Sequence, residues 1–283
     1  MITVLQGKTQ KIEISPDSPT VIIGERINPT GRPSLAEALK KDDWELIRQE
    51  AISQVEQGAA VIDVNVGVPG LDEIALLPQA VKVVAEAVDV PLCLDSSNHK
   101  ALEAALKVCP GRPLINSTTG EEKALNTILP LAKAFGAAVI ALCHDEKGII
   151  NDPETRLKVA EKIANKARSY GLQEADLLID PLVLSVGAEA KSAIVSLKTT
   201  LLISEKLGLN LTMGASNVSF GLPNRHILNN SFLAMAIWCG VNAPLANPAS
   251  KGVVETILAA DLLKGKDPYA ARYIRHYRKT QQK

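Results

Sequence analysis

The chain has 283 residues, with 31 Lys and Arg against 31 Asp and Glu, a hydrophobic fraction of 46% and an aromatic fraction of 3%. A neutral balance leaves no basic footprint for a phosphate backbone and nine aromatics offer few stacking platforms, so nucleic acid is excluded as an expected partner. The longest uncharged stretch, Ile227 to Ser250, carries Asn229, Asn230, Asn242, Asn247, two prolines and Gly240, so no membrane helix and no membrane partner are expected.

A chain of this length can hold one large core, and α/β barrels take about 250 residues as a single domain. The N-terminus has neither the basic start nor the apolar run of a signal peptide, and Cys93, Cys109, Cys143 and Cys239 lie far apart without a CxxC. A cytoplasmic protein with reduced thiols, no disulfide and no structural zinc is the expectation.

In chain order, ITVLQGKTQKIEIS alternates around a Gly-Lys turn and predicts a hairpin in an N-terminal extension, residues 1–19, that plugs a barrel bottom. Eight apolar runs follow: TVIIGE from Thr20, AAVIDVNV from Ala59, PLCLDSS from Pro91, PLINST from Pro113, AAVIALCH from Ala137, LLIDPL from Leu177, NLTMGASN from Asn210 and APLANP from Ala243. Between them lie segments of helical composition, such as Ser34 to Gly58 and Asp152 to Gly171, the latter with Asp152 as N-cap, Pro153 at the first helical position and Gly171 as C-cap. Near-continuous apolar strands alternating with helices predict a parallel sheet covered by helices. Eight such units predict an α/β fold of the TIM-barrel type, a single (β/α)8 barrel over residues 20–283. The basic end ARYIRHYRKTQQK reads as a solvated last helix.

In such a barrel the active site forms at the carboxyl ends of the strands. Glu25, Arg26 and Asn28 end the first run, Asp63 and Asn65 the second, Asp95, Ser96 and Asn98 the third, and Asn116 and Ser117 the fourth. His144 and Asp145 follow the fifth, Asp180 the sixth, Ser216, Asn217 and Ser219 the seventh, and Asn247 the eighth. Helix capping accounts for Asn98 and Thr118, but leaves Asp95 and Asn116 facing the mouth; Asp180-Pro181 precedes an irregular stretch that needs no cap. Two ligand classes would want three Asp and several Asn: a divalent metal, which calls for a Lys or His base that only His144 could supply, or a flat heterocycle with mixed donors and acceptors. The excess of amides over basic groups favours the heterocycle. Phosphate loops are missing, and no Ser/His/Asp or Cys/His grouping is legible.

Read together and in order, IIGERINPTGR at Ile22, DVNVG at Asp63, LCLDSSN at Leu92, INST at Ile115, IDPL at Ile179 and GASNVSFGLPNR at Gly214, followed by FLAMAIWCG, closely resemble the methyltetrahydrofolate:corrinoid protein methyltransferases. The likeness runs from about Ile22 to Ala260. It implies that Asp95, Asn116 and Asp180 hold the pterin edge with Asp63 and Asn65 beside them, that Asn217 hydrogen-bonds N5, and that Arg225 lies near the substrate or the cobalamin face. Asn217 and Asp95 are then the residues of the chemistry, and Glu25, Asn28 and Ser216 complete the folate site. The resemblance further implies tetrahydrofolate or methyltetrahydrofolate as substrate, cobalamin carried on a corrinoid-binding partner protein, no metal bound directly by the chain, and a homodimer. LANPAS lacks the Asp that some members carry after the eighth strand, and dihydropteroate synthase, a cousin on the same barrel, fits less well because its phosphate-site residues have no counterpart. A non-catalytic pterin-binding module and a metal-dependent barrel lyase are the readings from other classes.

Overall fold

The computed structural model describes residues 1–281; Gln282 and Lys283, the last residues of the expected C-terminal helix, lie outside them. The chain opens with two antiparallel strands, β1 (Thr3–Gln6) and β2 (Lys11–Ile14). Then come β3 (Ile23–Ile27), α1 (Pro33–Lys40), α2 (Glu45–Glu56), β4 (Val61–Val64), α3 (Glu73–Ala87), β5 (Leu92–Asp95), α4 (His99–Leu106), β6 (Leu114–Thr119) and α5 (Glu122–Phe135). The second half runs through β7 (Ala138–Leu142), α6 (Pro153–Ser169), β8 (Leu177–Asp180), α7 (Ser192–Leu207), β9 (Asn210–Leu211), α8 (Arg225–Cys239), β10 (Leu245–Ala246), α9 (Val253–Leu263) and α10 (Ala271–Thr280).

Strands β3 to β10 are the eight expected runs. They pair in parallel in the order β10-β3-β4-β5-β6-β7-β8-β9. A parallel bridge between Gly214 and Leu245, with Leu245 N–H donating to Met213 C=O at 2.9 Å, joins the two ends and closes the barrel.

Side chains alternate along each strand, and the barrel interior takes one parity. Ile23, Val61, Cys93, Leu114, Ala138, Ile140, Leu178 and Ala243 form an apolar cluster inside it, joined from below by Leu5 and Ile14 of the hairpin, both wholly buried. The hairpin therefore closes the bottom, as its alternating pattern predicts. Arg112 pins it there: Gln6 and Arg112 exchange backbone hydrogen bonds at 3.0 and 2.9 Å, and the Arg112 side chain reaches Val4 C=O and Asp176. The opposite parity packs outward against the helices in the larger core, with Ile62, Leu94, Ile115, Val139 and Ile179.

Local signals place the helices. Asp152 accepts from Thr155 N–H at 2.8 Å and Asn98 from Lys100 N–H at 3.1 Å, each satisfying an otherwise orphaned first-turn donor. Two expectations differ. The segment Ser34 to Gly58 is two helices, interrupted at residues 41–44, where Asp42 takes a left-handed φ of 53°. Thr118 caps nothing: it lies inside β6, wholly buried, and α5 starts from Glu121, whose N–H is met by Thr119 Oγ1 at 3.2 Å.

Candidate active site in the barrel mouth

Two residues beyond the apolar interior positions, the same parity turns polar. Ile23 is followed on that face by Glu25, Val61 by Asp63, Cys93 by Asp95, Leu114 by Asn116, and Leu178 by Asp180. Five polar side chains thus ring the carboxyl end of the barrel, because period-two alternation carries each one to the inside. Register aligns them: Asp95 pairs with Asn116, and Asp63 with Cys93 one step lower.

Hydrogen bonds link these groups in two short chains. Asn116 Nδ2 donates to Asp63 Oδ1 at 3.1 Å, and Asn65 Nδ2 to Asp95 Oδ2 at 2.9 Å while its own Oδ1 accepts from Gly67 N–H at 2.8 Å. Asp63 near the end of β4 and Asn65 just beyond it therefore serve different partners. Asp180 Oδ1 accepts from Leu182 N–H at 2.8 Å, and Ser216 Oγ donates to Glu25 Oε1 at 3.4 Å.

Burial dominates the electrostatics. It raises the Asp63 carboxyl well above the ordinary Asp range, and the neighbouring Asp95 charge adds to the rise against hydrogen bonds from Cys93 and Asn116. Asp95 is also raised by burial, opposed by Asn65. Asp180 is pushed up to about 6, with Leu182 N–H and Arg156 opposing, and Glu25 to about 7, opposed by Ser216, Arg26 and Arg225. Among the described residues none of these four carboxylates forms a salt bridge. Buried and half-buried carboxylates that form no salt bridge are matched by a ligand that brings N–H donors. Among the described residues no three His, Cys, Asp or Glu side chains assemble into a metal-holding group.

The remaining expected residues sit above the ring. Ser216 and Asn217 belong to a 3-10 turn, Ala215–Ser219, directly after the barrel seam. The Asn217 amide folds back over Gly214: a Cβ there would stand 3.0 Å from Asn217 Nδ2. Arg225, the first residue of α8, donates to Ser216 C=O at 2.9 Å and to Ser219 Oγ at 3.0 Å and lies 5.5 Å above the Phe220 ring, so it braces this turn. Asn28 accepts from Thr30 N–H at 2.9 Å in the loop after β3 and is not brought to the ring. His144 donates no side-chain hydrogen bond to the ring; its C=O accepts from Gly120 N–H at 2.7 Å.

With this geometry in view, comparison with known proteins is decisive: residues 24–244 match the family described as pterin-binding enzymes. The chain belongs to that family. It is 30% identical over 262 residues to the methylcorrinoid:tetrahydrofolate methyltransferase of Eubacterium limosum, covering 91% of this chain and 96% of that one. It is also 30% identical over 258 residues to the methionine synthase of Mycobacterium tuberculosis, where the match takes 85% of this chain but 21% of the longer protein. The dihydropteroate synthase of Xanthomonas albilineans superposes with a TM-score of 0.71 over 93% of this chain and 98% of that one, at 15% identity, a likeness of fold alone.

Two residues of this pterin-binding enzyme escape a strand-end reading. Strand β3 has a register shift between Gly24 and Ile27, which turns Glu25 and Arg26 out of regular pairing. Gln54, 2% exposed on α2, meets the Arg26 N–H with its Oε1 at 2.9 Å. Gly24 makes room for it, since a Cβ there would stand 2.5 Å from Gln54 Oε1. Arg156 on α6, 1% exposed, donates to Ile150, Pro181 and Leu182 C=O at 2.9, 2.9 and 3.0 Å and so holds the irregular chain that carries Asp180. The signal for both was a polar residue at a core-facing helical position, Gln54 one turn beyond Ile47 and Ala51, Arg156 beside Leu157 and Ala160.

Proposed function

We propose that the protein is a methyltransferase that moves a methyl group between N5 of methyltetrahydrofolate and the cobalt of a corrinoid carried on a partner protein. The observation that carries this reading is the ring of Asp63, Asp95, Asn116 and Asp180, whose carboxylates form no salt bridge among the described residues, in a chain that aligns over 91% of its length with a methylcorrinoid:tetrahydrofolate methyltransferase. An aminopyrimidinone edge presents N–H donors beside acceptors, the complement of carboxylates interleaved with an amide. Asp95, Asn116 and Asp180 hold that edge, with Asp63 and Asn65 fixing the orientation of Asn116 and Asp95. Glu25, Asn28, Ser216 and Arg225 line the rest of the folate site.

The transfer is a displacement in which an amine leaves, and an amine leaves poorly unless N5 gains a hydrogen bond or proton as charge develops. Asn217 stabilises that charge, because an amide donates a hydrogen bond but does not give up its proton. Asp95 belongs to the chemistry as well as to binding, since its raised carboxyl stands in the same ring at the mouth. The barrel of residues 20–283 carries the whole folate site, and residues 1–19 form the extension beneath it. The corrinoid arrives on its partner protein as a substrate at the mouth.

Two copies associate through α7 and α8, neighbouring helices that expose Ile194, Leu201, Leu228, Met235 and Trp238. Of these, Leu228, Met235 and Trp238 recur at helical spacing on one face of α8. The unpaired state of all four cysteines supports a cytoplasmic location.

The test is anoxic mixing of the protein with methyltetrahydrofolate and cob(I)alamin, followed by the cobalamin spectrum, then methylcobalamin with tetrahydrofolate, each repeated with a methyl-carrying corrinoid protein. Methyl transfer in either direction supports the reading. Calorimetric folate binding with no transfer to or from free or protein-bound corrinoid would leave a binding module, and no folate binding would overturn both.

A further inference from the structure

Glu25 stands where the polar ring meets a second space. A cavity of about 510 Å³ opens at the mouth between the loop after β3, the turn after β9, helix α8 and the loop after β10. Glu25, Ser216, Arg225, Asn229 and Asn247 line it, whereas Asp63, Asp95, Asn116 and Asp180 do not. Glu25 is thus the one ring carboxylate with a route to solvent on this side and a hydroxyl partner on the turn that carries Asn217.

Methyl transfer between N5 and cobalt needs a proton account that an amide cannot keep. We propose that Glu25 is the proton store of the transfer: it passes a proton through the Ser216 hydroxyl to N5 as the N5–methyl bond breaks, and is recharged from water in the adjoining cavity. This rests on the methyltransferase reading. The electron pair of the new cobalt–carbon bond comes from the Co(I) corrinoid, the pair of the broken carbon–nitrogen bond stays on N5 and takes the proton, and Glu25 is left as a carboxylate. In the opposite direction the carboxylate accepts the N5 proton of tetrahydrofolate as the methyl group arrives.

The other ring members are worse placed for this work. Asp63 is 2% exposed and engaged by Asn116, Asp95 is held by Asn65, and Asp180 is held by Leu182 N–H. The charged groups facing Glu25 are Arg26 on its own strand and Arg225 on α8, with Asp63 on β4. Gln54 of α2, packed behind, is occupied by Arg26 N–H. Burial outweighs both arginines and leaves the carboxyl titrating at about 7, where a group both gives and recovers a proton readily.

The experiment compares wild type with Glu25→Gln in single-turnover formation of methylcobalamin from methyltetrahydrofolate and cob(I)alamin, from about pH 5.5 to about 8.5, a span centred on the neutral range in which such acids work. Wild type should lose rate as pH rises through about 7, and the amide variant should be slower by about 100-fold and flat across that limb. A variant that keeps the wild-type pH profile overturns the proposal. A second readout does not depend on turnover: in protein labelled with ¹³C at Glu side-chain carboxyls, the resonance missing from Glu25→Gln should titrate near 7, and titration near the ordinary 4.5 overturns the proposal whatever the activity. Absence of transfer by wild type with a normal Glu25→Gln fold would instead count against the methyltransferase reading.

Discussion

Asn217 and the ring carboxylates call for opposite signatures on substitution. If Asn217 stabilises charge that exists only as N5 leaves, as proposed, Asn217→Ala should lower turnover by about 100-fold while folate affinity stays near wild type; equal losses in both would refute the transition-state role. On the proposed binding mode, Asp95→Ala and Asp180→Ala each remove an acceptor from the pterin edge and should weaken folate binding by about tenfold or more before any effect on the chemical step is seen, as calorimetry would read. Glu25 predicts a stability effect as well. Its carboxyl titrates at about 7 in the folded chain against 4.5 ordinarily, so between those values the native protein holds a proton that the unfolded chain has released. Stability therefore falls as pH rises across that window, by about 3 kcal/mol at the upper end, and Glu25→Gln escapes the loss. The variant should be more resistant to urea than wild type at about pH 8 and nearly equal to it at about pH 4.5; equal stability at both would mean that burial does not strain this carboxyl.

At the level of elements, one alternation does two jobs. Along β4, Val61 fills the barrel and Asp63 arms it, and the same step recurs from Cys93 to Asp95 and from Leu178 to Asp180. The strands are short, so the change from apolar to polar falls at the mouth without any irregularity in β4, β5 or β8. The hairpin supplies the floor on which this stack stands. Its turn passes so close to the Asp89 backbone that a Cβ on Gly7 would overlap Asp89 C=O. Gly7→Ala should therefore unseat β1 and β2 and lower stability by about 2 kcal/mol or more, with Leu5→Ala costing about 2–5 kcal/mol through the cavity it leaves. Folate affinity, set at the far end of the barrel, should change little in either variant at temperatures where it remains folded. A loss of affinity matching the loss of stability would mean that the floor shapes the mouth.

For the molecule as a whole, one pair of adjacent helices, α7 and α8, exposes Ile194, Leu201, Ile227, Leu228, Met235 and Trp238. Trp238 and Met235 are 67% and 47% exposed on α8, a cost in water that a second copy would relieve. Wild type should sediment at about twice the chain mass of 30.2 kDa, and Trp238→Lys should shift the equilibrium to the monomer. A wild type that sediments as a monomer at micromolar concentration would refute the pairing.

Much of this organisation is written locally in the chain. Strand identity follows from apolar runs of the right length, cap positions from Asp152 and Asn98, and the ring from parity, since a residue two beyond a buried strand position shares its face whatever the rest of the chain does. The floor hairpin is likewise visible in the alternation of ITVLQGKTQKIEIS. Long-range contacts are of another kind. That Asn116 serves Asp63 rather than the adjacent Asp95, that Gln54 answers a backbone N–H freed by an irregular strand 28 positions earlier, and that Arg156 holds the carbonyls after Asp180 all depend on barrel closure and helix packing. So does the Glu25 carboxyl, whose shift comes from being buried between β3 and the turn after β9 and whose contact with Ser216 spans 191 residues of chain. Local pattern specifies which face a side chain takes; which groups then meet, and how dry their meeting place is, follows from the closed tertiary fold, because solvation and hydrogen-bond partners belong to the space around a residue and not to its neighbours in sequence.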